Sequence, residues 1–207
     1  MKTLLINGSP HQKGCTYTAL QEVAETLEKQ GIETEIVWLG VNPIAGCIGC
    51  GVCAKEGNGC FRKDIVNEFV EKAKTADGFV FGSPVHYANA SGAMTSFMDR
   101  AFYSGGKYMA GKPAAAVVSC RRGGASATFD QMNKYFTINC MPVVPSQYWN
   151  QVHGSTPEDV RKDEEGMQTM RTLANNMAWM LKCFEAGREK NITFPEREPV
   201  IRTNYIR

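Results

Sequence analysis

The chain has 207 residues, 43% of them hydrophobic, with 23 basic and 21 acidic side chains and a formal net charge of +2. This size and composition predict one α/β domain over residues 1–190, followed by an extended tail over residues 191–207. The charges are dispersed and form no basic block, which argues against nucleic acid or an anionic membrane and favours small-molecule partners. The sequence has no apolar run of bilayer length, and its start does not resemble a signal peptide, so we predict a cytoplasmic protein.

Hydrophobic periodicity predicts strands and helices in alternation. Strands are predicted over residues 3–7, 33–38, 78–82, 114–119 and 141–144, and the first of them is a short continuous apolar run typical of strands buried on both faces of a sheet. Helical spacing covers residues 16–30, 64–74, 91–103, 125–136 and a long segment, 158–186. Because parallel neighbours need crossover connections, this order predicts a doubly wound sheet of five parallel strands with helices on both faces. In such a sheet ligands bind beyond the carboxyl ends of the strands.

The loop after the first predicted strand, residues 8–18, has the composition of a phosphate site. Free backbone N–H groups at a helix start, the helix dipole and several hydroxyls can together bind a phosphate. The spacing matches neither the G-x-G-x-x-G turn nor the G-x-x-x-x-G-K-[ST] loop, so a monophosphate fits better than a dinucleotide. The alternative is a well-capped turn without a ligand. The candidate residues are Ser9, His11, Gly14, Cys15, Thr16, Tyr17 and Thr18.

Two further loops follow the third and fourth predicted strands. In the first of them Pro84 stiffens the chain, and the backbone near Val85 with His86 and Tyr87 can border a planar ring. The second loop begins at Ser119, and its glycines permit close backbone approach while its arginines suit an anion or a ring carbonyl. Its candidate residues are Ser119, Arg121, Arg122, Gly123 and Gly124.

Two motifs then point to a family. The pattern Asn-Gly-Ser-Pro-x5-Thr from Asn7, and Ala-Asp-Gly-x3-Gly-Ser-Pro-Val-x-Tyr from Ala76 with Asp99-Arg100 ending the next helix, resemble the NAD(P)H-dependent FMN reductases of the flavodoxin-like superfamily. The resemblance implies a flavodoxin-like sheet and FMN, with the phosphate at residues 9–18, the ring and ribityl chain at 84–87 and the far edge of the flavin at 119–124. Cys15 departs from the family, which often carries Asn there, so the backbone amide would bind more of the phosphate.

Four of the eight cysteines crowd into residues 46–60, before the second crossover helix. Their spacing, Cys47-x2-Cys50-x2-Cys53-x6-Cys60, is similar to the compact motif of the iron-sulfur flavoproteins, a branch of the same family that carries a [4Fe-4S] cluster. A zinc ion is the rival, although a structural zinc normally uses two C-x2-C pairs separated by a longer gap. The third possibility is a redox-active or inert thiol loop beside the flavin.

Membership would imply an oxidoreductase in which FMN accepts hydride from NAD(P)H and passes electrons to a small-molecule or redox-protein acceptor. One alternative is an iron-sulfur flavoprotein that transfers electrons without nicotinamide turnover, and another is a non-catalytic redox or metal sensor. The resemblance also implies a homodimer or homotetramer, for which the methionine-rich helix around residues 167–180 offers apolar surface.

Overall fold

The structure is a computed structural model that describes residues 1–57, 59–201 and 203. Its strands are β1 (Lys2–Asn7), β2 (Glu33–Trp38), β3 (Gly78–His86), β4 (Asn89–Ala90), β5 (Ala114–Cys120) and β6 (Gln151–His153). Its helices are α1 (Cys15–Lys29), α2 (Val52–Glu56), α3 (Ile65–Ala73), α4 (Gly92–Met109), α5 (Ala125–Ile138), α6 (Pro157–Lys162) and α7 (Glu164–Glu189).

Parallel pairing orders the strands of the central sheet as β2-β1-β3-β5-β6. The two-residue strand β4 folds back as an antiparallel partner of the end of β3. The predicted doubly wound fold with five parallel strands is therefore confirmed within the described residues. In this order β1, β3 and β5 are direct neighbours, so the loops that follow them leave the sheet side by side.

Alternate side chains of each central strand enter different hydrophobic cores. Phe79 and Phe81 of β3 pack with α3, α4 and α5, whereas Val80 between them packs with α1 and α7. The first core is rich in phenylalanine: the rings of Phe69 and Phe97 lie 5.1 Å apart in an edge-to-face contact. Because both faces are covered, the strands carry the continuous apolar runs from which they were predicted.

The prediction of a fifth strand over residues 141–144 was wrong. Pro142 and Val144 do meet Ala114 at the start of β5, through hydrogen bonds of 2.9 Å each way, but only an isolated bridge forms. Proline has no N–H to donate. Because Pro142 and Pro145 lie on either side of the bridge, the ladder cannot extend. The fifth strand is instead β6, which pairs with the end of β5.

The single long helix predicted over residues 158–186 was also wrong, because the chain breaks at Asp163 into α6 and α7. The Asp163 carboxylate accepts hydrogen bonds from the backbone N–H of Gly166, at 2.9 Å, and of His153, at 2.6 Å. The first of these contacts caps α7 and the second fastens it to β6. The short elements α2 and β4 were not predicted.

The described part of the predicted tail has no helix or strand from residue 192 onward, and it makes contacts with the domain. Phe194 packs against Gly111, and Arg197 donates a 2.9 Å hydrogen bond to the carbonyl of Asn139. Residues 202 and 204–207 of the predicted tail lie outside the described residues. None of the helices in the described ranges combines the length and the apolar character needed to cross a bilayer.

The packing of α3 on α4 depends on a glycine. A Cβ at Gly105 would lie 2.6 Å from Cγ2 of Val70, whereas a Cβ at Gly92, in the same helix, would meet nothing within 4 Å. We expect Gly105→Ala to lower the free energy of unfolding by about 1–3 kcal/mol, because overpacking outweighs the better helix propensity of alanine. Gly92→Ala is the matched control and should be neutral or slightly stabilising. Urea unfolding of both variants checks this, and equal stabilities would contradict it.

Candidate functional site

The loops after β1 and β3 are joined by direct contacts at the carboxyl edge of the sheet. The backbone N–H of Gly8 donates to the carbonyl of Gly82 at 2.9 Å. The hydroxyl of Ser91, the N-cap of α4, donates to the carbonyl of Gly8 at 2.8 Å. Ser91 also donates its N–H to the hydroxyl of Ser83. The first loop, the end of β3 and the start of α4 therefore form one hydrogen-bonded unit.

Two residues that the sequence analysis missed fix the shape of the loop after β1. The fully buried amide of Asn7 accepts from the N–H of Ser9 and donates to the carbonyl of Gln12, both at 3.0 Å. The indole N–H of Trp38 in β2 donates to the carbonyl of Ser9 at 2.8 Å. The sequence signal for Asn7 was available, since a polar residue ended an apolar strand directly before a Gly-Ser-Pro turn.

The start of α1 is open to an anion. Its N-cap is Gly14, which has no side chain to cap the first turn, and Thr18 N–H makes a helical hydrogen bond to the Gly14 carbonyl at 3.0 Å. The amides of the first turn have no partner within their own helix, and the helix dipole favours negative charge beside them. The Thr18 hydroxyl donates to the Gly14 carbonyl at 3.1 Å, so its proton is used within the helix.

Thr16, in the first turn of α1, and Ser119, near the end of β5, connect the first loop to the end of β5. Their hydroxyl oxygens lie 2.7 Å apart, and the two residues are only 1% and 4% exposed. These side chains come from distant parts of the sequence, and each was predicted separately as a ligand of the same molecule. The fold brings them into direct contact.

Cys15 and Cys120 lie beside this pair as neutral thiols. Burial raises the pKa of the Cys15 thiol and also that of Cys120, and a thiol whose pKa exceeds its ordinary value stays protonated at neutral pH. Cys15 directs its sulfur toward the carbonyl of Gly154, at 3.7 Å, rather than toward the loop. The Cys15 side chain thus fastens the start of α1 to the end of β6.

A strained hairpin turn follows β3. Tyr87 and Ala88 have φ angles of +50° and +60°. Primed hairpin turns require positive φ angles of this kind, which residues other than glycine rarely adopt. Tyr87 is fully exposed, with 101% of its reference surface accessible. Strain of this kind in an exposed aromatic turn is typical of ligand-binding segments.

Gly124 brings the loop after β5 against this hairpin. Its φ is +87°, and a Cβ there would lie 2.7 Å from Cα of Ala88 and 2.9 Å from Cγ1 of Val85. Only glycine combines that backbone angle with so close an approach. The three predicted loops therefore form one continuous surface at the edge of the sheet.

The remaining predicted residues of the flavin site differ in exposure. Ser9, Thr16, Thr18 and Ser119 are buried; Gly14, Cys15, Tyr17, Pro84, Val85 and Gly124 are half-buried; and His11, His86, Tyr87, Arg121, Arg122 and Gly123 are exposed. The buried members build the floor of this surface and the exposed members stand around it.

The cysteine segment forms a second candidate site. Cys47, Cys50, Cys53 and Cys60 all line one cavity of about 190 Å³, whose wall is completed by apolar side chains such as Phe61 and Tyr103. Helix α2 carries Cys53, whose sulfur lies 3.7 Å from the carbonyl of Tyr103 in α4. A spacing read from the sequence is thus matched by a shared cavity.

The same segment was expected to hold a [4Fe-4S] cluster, to hold a zinc ion, or to remain a redox-active or inert thiol loop. In the part of the chain that the structure describes, no three His, Cys, Asp or Glu side chains converge on a point that could hold one metal ion. The four cysteines surround a cavity instead.

Arg100 of α4 lies beneath the cysteine segment and is only 2% exposed. Its guanidinium donates to both oxygens of the Asp64 carboxylate, at 2.6 and 2.9 Å, and its Nε–H donates to the sulfur of Cys60 at 3.3 Å. Burial lowers the pKa of Arg100, but the hydrogen bonds to Asp64 and Cys60 outweigh that effect and raise it overall. Asp99-Arg100 was expected to end its helix, but α4 continues to Met109.

A second cavity, of about 360 Å³, lies between the continuous surface of the three loops, which we call the flavin surface, and the cysteine segment. It is bordered by Pro10 of the first loop, His86 of the hairpin, Ser96 of α4 and the segment 40–44 that leads to the cysteines.

Comparison with known proteins assigns the chain to a family. Residues 1–155 match the family described as NADPH-dependent FMN reductase. An iron-sulfur flavoprotein of Methanocaldococcus jannaschii is 34% identical over 196 residues, which cover 89% of this chain and 100% of that protein.

Solved structures agree at the level of the fold. A flavodoxin from the domain Archaea superposes with a TM-score of 0.60 at 15% identity, covering 88% of this chain and 99% of that one. An NAD(P)H:quinone oxidoreductase from Methanothermobacter marburgensis gives a TM-score of 0.64 at 15% identity, covering 86% and 96%. The fold is flavodoxin-like, and the chain belongs to the NADPH-dependent FMN reductase family, with iron-sulfur flavoproteins among its relatives.

Proposed function

We propose that this protein is an FMN-dependent oxidoreductase that passes electrons from NAD(P)H to a small-molecule or protein acceptor. The observation that carries the proposal is the direct contact among the loop after β1, the end of β3 with its hairpin, and the end of β5 with the loop that follows it, through Gly8–Gly82, Thr16–Ser119 and Gly124–Ala88. A cofactor with a phosphate at one end and a planar ring at the other needs such a continuous surface. Family membership supports the same cofactor.

The buried residues at the start of α1 would hold the FMN phosphate. The open first-turn amides after Gly14, with the hydroxyls of Ser9 and Thr16, supply donors, and the first turn of α1 has no acidic residue to repel the anion. His11 and Tyr17 stand at the border of this group. When bound, FMN supplies the redox chemistry by accepting hydride and releasing electrons singly or in pairs.

The hairpin and the loop after β5 would hold the ring. Val85 and the exposed Tyr87 offer apolar and aromatic surface, and the backbone near Gly123 and Gly124 permits close approach. Arg121 and Arg122 are exposed cations beside that approach, and they would attract the negative charge that reduction places on the ring. His86 borders both the ring position and the 360 Å³ cavity, where the nicotinamide or the acceptor would enter.

We also propose that Cys47, Cys50, Cys53 and Cys60 bind a [4Fe-4S] cluster. Their shared cavity supports this assignment, as does the kinship with proteins named iron-sulfur flavoproteins. When bound, such a cluster supplies one-electron steps. An electron-transfer protein without nicotinamide turnover is the second candidate function, and it is favoured by the same cavity; absence of NAD(P)H oxidation by the fully loaded protein would select it.

Oligomerisation and a reducing compartment complete the proposal. Tyr148, Trp149 and Trp179 are each at least half exposed and offer apolar surface to a second copy. The methionines expected to form that surface contribute little, because Met170 and Met177 are buried in the core. All eight cysteines are free, as a cytoplasmic protein would keep them.

The first test is anaerobic purification followed by a visible spectrum, iron and sulfide assays, and NAD(P)H oxidation. We expect one FMN and about four irons per chain. Cys53→Ala should lose most of the iron while keeping FMN, and Cys183→Ala, at an exposed position of α7, should keep both. Flavin without iron would refute the cluster alone, and a preparation without flavin would refute the central proposal and leave a metal or redox sensor.

The contact between Thr16 and Ser119 yields a second prediction. Thr16→Val removes a buried hydroxyl and leaves that of Ser119 without its partner, which costs about 1–3 kcal/mol. We expect the Kd for FMN to rise roughly 5- to 100-fold, because the phosphate loop loses both a donor and its link to β5. Thr26→Val, later in α1, is the control and should bind FMN normally. Fluorescence titration of the apoprotein measures both, and equal affinities would show that Thr16 does not serve the phosphate site.

Gly124 provides a third prediction, with a glycine of α7 as control. Gly124→Ala would force a left-handed alanine against the hairpin and displace Ala88, whereas a Cβ at Gly187 of α7 would meet nothing closer than 3.8 Å. We expect Gly124→Ala to weaken FMN binding roughly tenfold or more, corresponding to about 1.4 kcal/mol, and Gly187→Ala to have little effect. Equal FMN affinities in the two variants would remove the hairpin contact from the binding site.

A further inference from the structure

Within the described residues, the hydrogen bonds of the Arg100 guanidinium are all made with the chain around the cysteines. Besides Asp64 and Cys60, its guanidinium donates to the carbonyls of Ala45, at 3.4 Å, and Arg62, at 3.1 Å. One buried side chain in the middle of α4 thus touches the segment just before Cys47 and the segment from Cys60 onward. It closes the cysteine loop at both ends.

The direction of the Nε–H bond toward Cys60 is fixed by the other contacts. Two guanidinium nitrogens pair with the two oxygens of Asp64, and Asp64 is itself held as the N-cap of α3 by the N–H of Val66 at 3.1 Å. Because a guanidinium is planar, locking two of its nitrogens also aims the third. A lysine ammonium has the same charge but no such fixed direction.

We propose that Arg100 is a positioning residue that donates a hydrogen bond to the Cys60 ligand and thereby raises the reduction potential of the iron-sulfur cluster. The inference rests on the cluster of the proposed function. If the cluster is bound, one electron from the reduced flavin, which is itself oxidised by that loss, would add one negative charge to the site, with no covalent bond formed or broken and no proton transferred. The Nε–H of Arg100 stabilises that added charge at the Cys60 sulfur, as hydrogen bonds to cluster sulfurs do.

A purely structural role for Arg100 predicts a different result. If the side chain only closes the loop, variants that still hold iron should have an unchanged potential. If it also donates to the sulfur, the potential must fall whenever that donor is removed, even when the positive charge is kept. Arg62 provides the comparison, because it lines the same cavity while its guanidinium lies over the ring of Phe61, 5.2 Å from the centroid.

The first experiment uses the full chain, purified anaerobically with iron and sulfide measured, in a redox titration followed by EPR. We expect Arg100→Lys to retain the cluster at a lower midpoint potential than the wild type, Arg100→Gln to be at least as low, and Arg62→Lys to match the wild type. An unchanged potential in iron-loaded Arg100→Lys would overturn the proposal, as would an equal fall in Arg62→Lys.

The second experiment needs no change at Arg100. The wild-type chain is expressed in medium that contains guanidino-15N arginine, and its cluster is reduced with dithionite. Pulsed EPR then measures whether a 15N nucleus is coupled to the cluster. We expect the coupling in the wild type and in Arg62→Lys. Its absence from an iron-loaded wild type overturns this inference and leaves the cluster standing, whereas a wild type that binds no iron or sulfide overturns both.

Discussion

Close backbone packing at the carboxyl edge of β1 and β3 is the constraint on which the candidate flavin surface depends. A Cβ at Gly82 would lie 2.8 Å from Cδ1 of Leu20 in α1, and one at Gly8 would lie 2.7 Å from Cε of Met94 in α4. These two glycines admit a helix on each face of the sheet at the height where the strands end. The N-termini of α1 and α4 are consequently brought to the same edge, each beside the loop after β1. Larger residues would push the helices outward and open the surface.

The same constraint explains which parts of the fold could be predicted from sequence. Strands β1, β3 and β5 and helices α1, α3, α4 and α5 each bury a repeating set of side chains, so the local sequence shows their hydrophobic pattern. The errors at residues 141–144 and at Asp163 have another origin. Prolines prevent one segment from extending its ladder, and the Asp163 carboxylate, which accepts a hydrogen bond from His153 in the preceding strand β6, interrupts the long helix. Neither effect follows from hydrophobic pattern.

The candidate sites divide in the same way. The loops could be located because ligands bind at strand ends, and the cysteines because their spacing is compact. The residues that shape these sites could not, since their contacts join positions far apart in the chain. Trp38 reaches back 29 residues to Ser9, and Arg100 reaches back 40 residues to Cys60. A tryptophan in a strand and an arginine in a helix are ordinary residues until the fold shows what they touch.

Helix α4 connects the two candidate sites. Its N-cap, Ser91, bonds to the phosphate loop, and Arg100 lies nine residues further along, at the cysteines. At 1.5 Å per residue the helix separates these two anchors by roughly 14 Å and holds the spacing rigidly. The buried guanidinium is tolerated only because Asp64 neutralises it, and removal of that carboxylate would leave an uncompensated charge under the loop. The ion pair that fixes the cysteine loop therefore also fixes its distance from the flavin surface, which the proposed transfer of electrons between two centres would require.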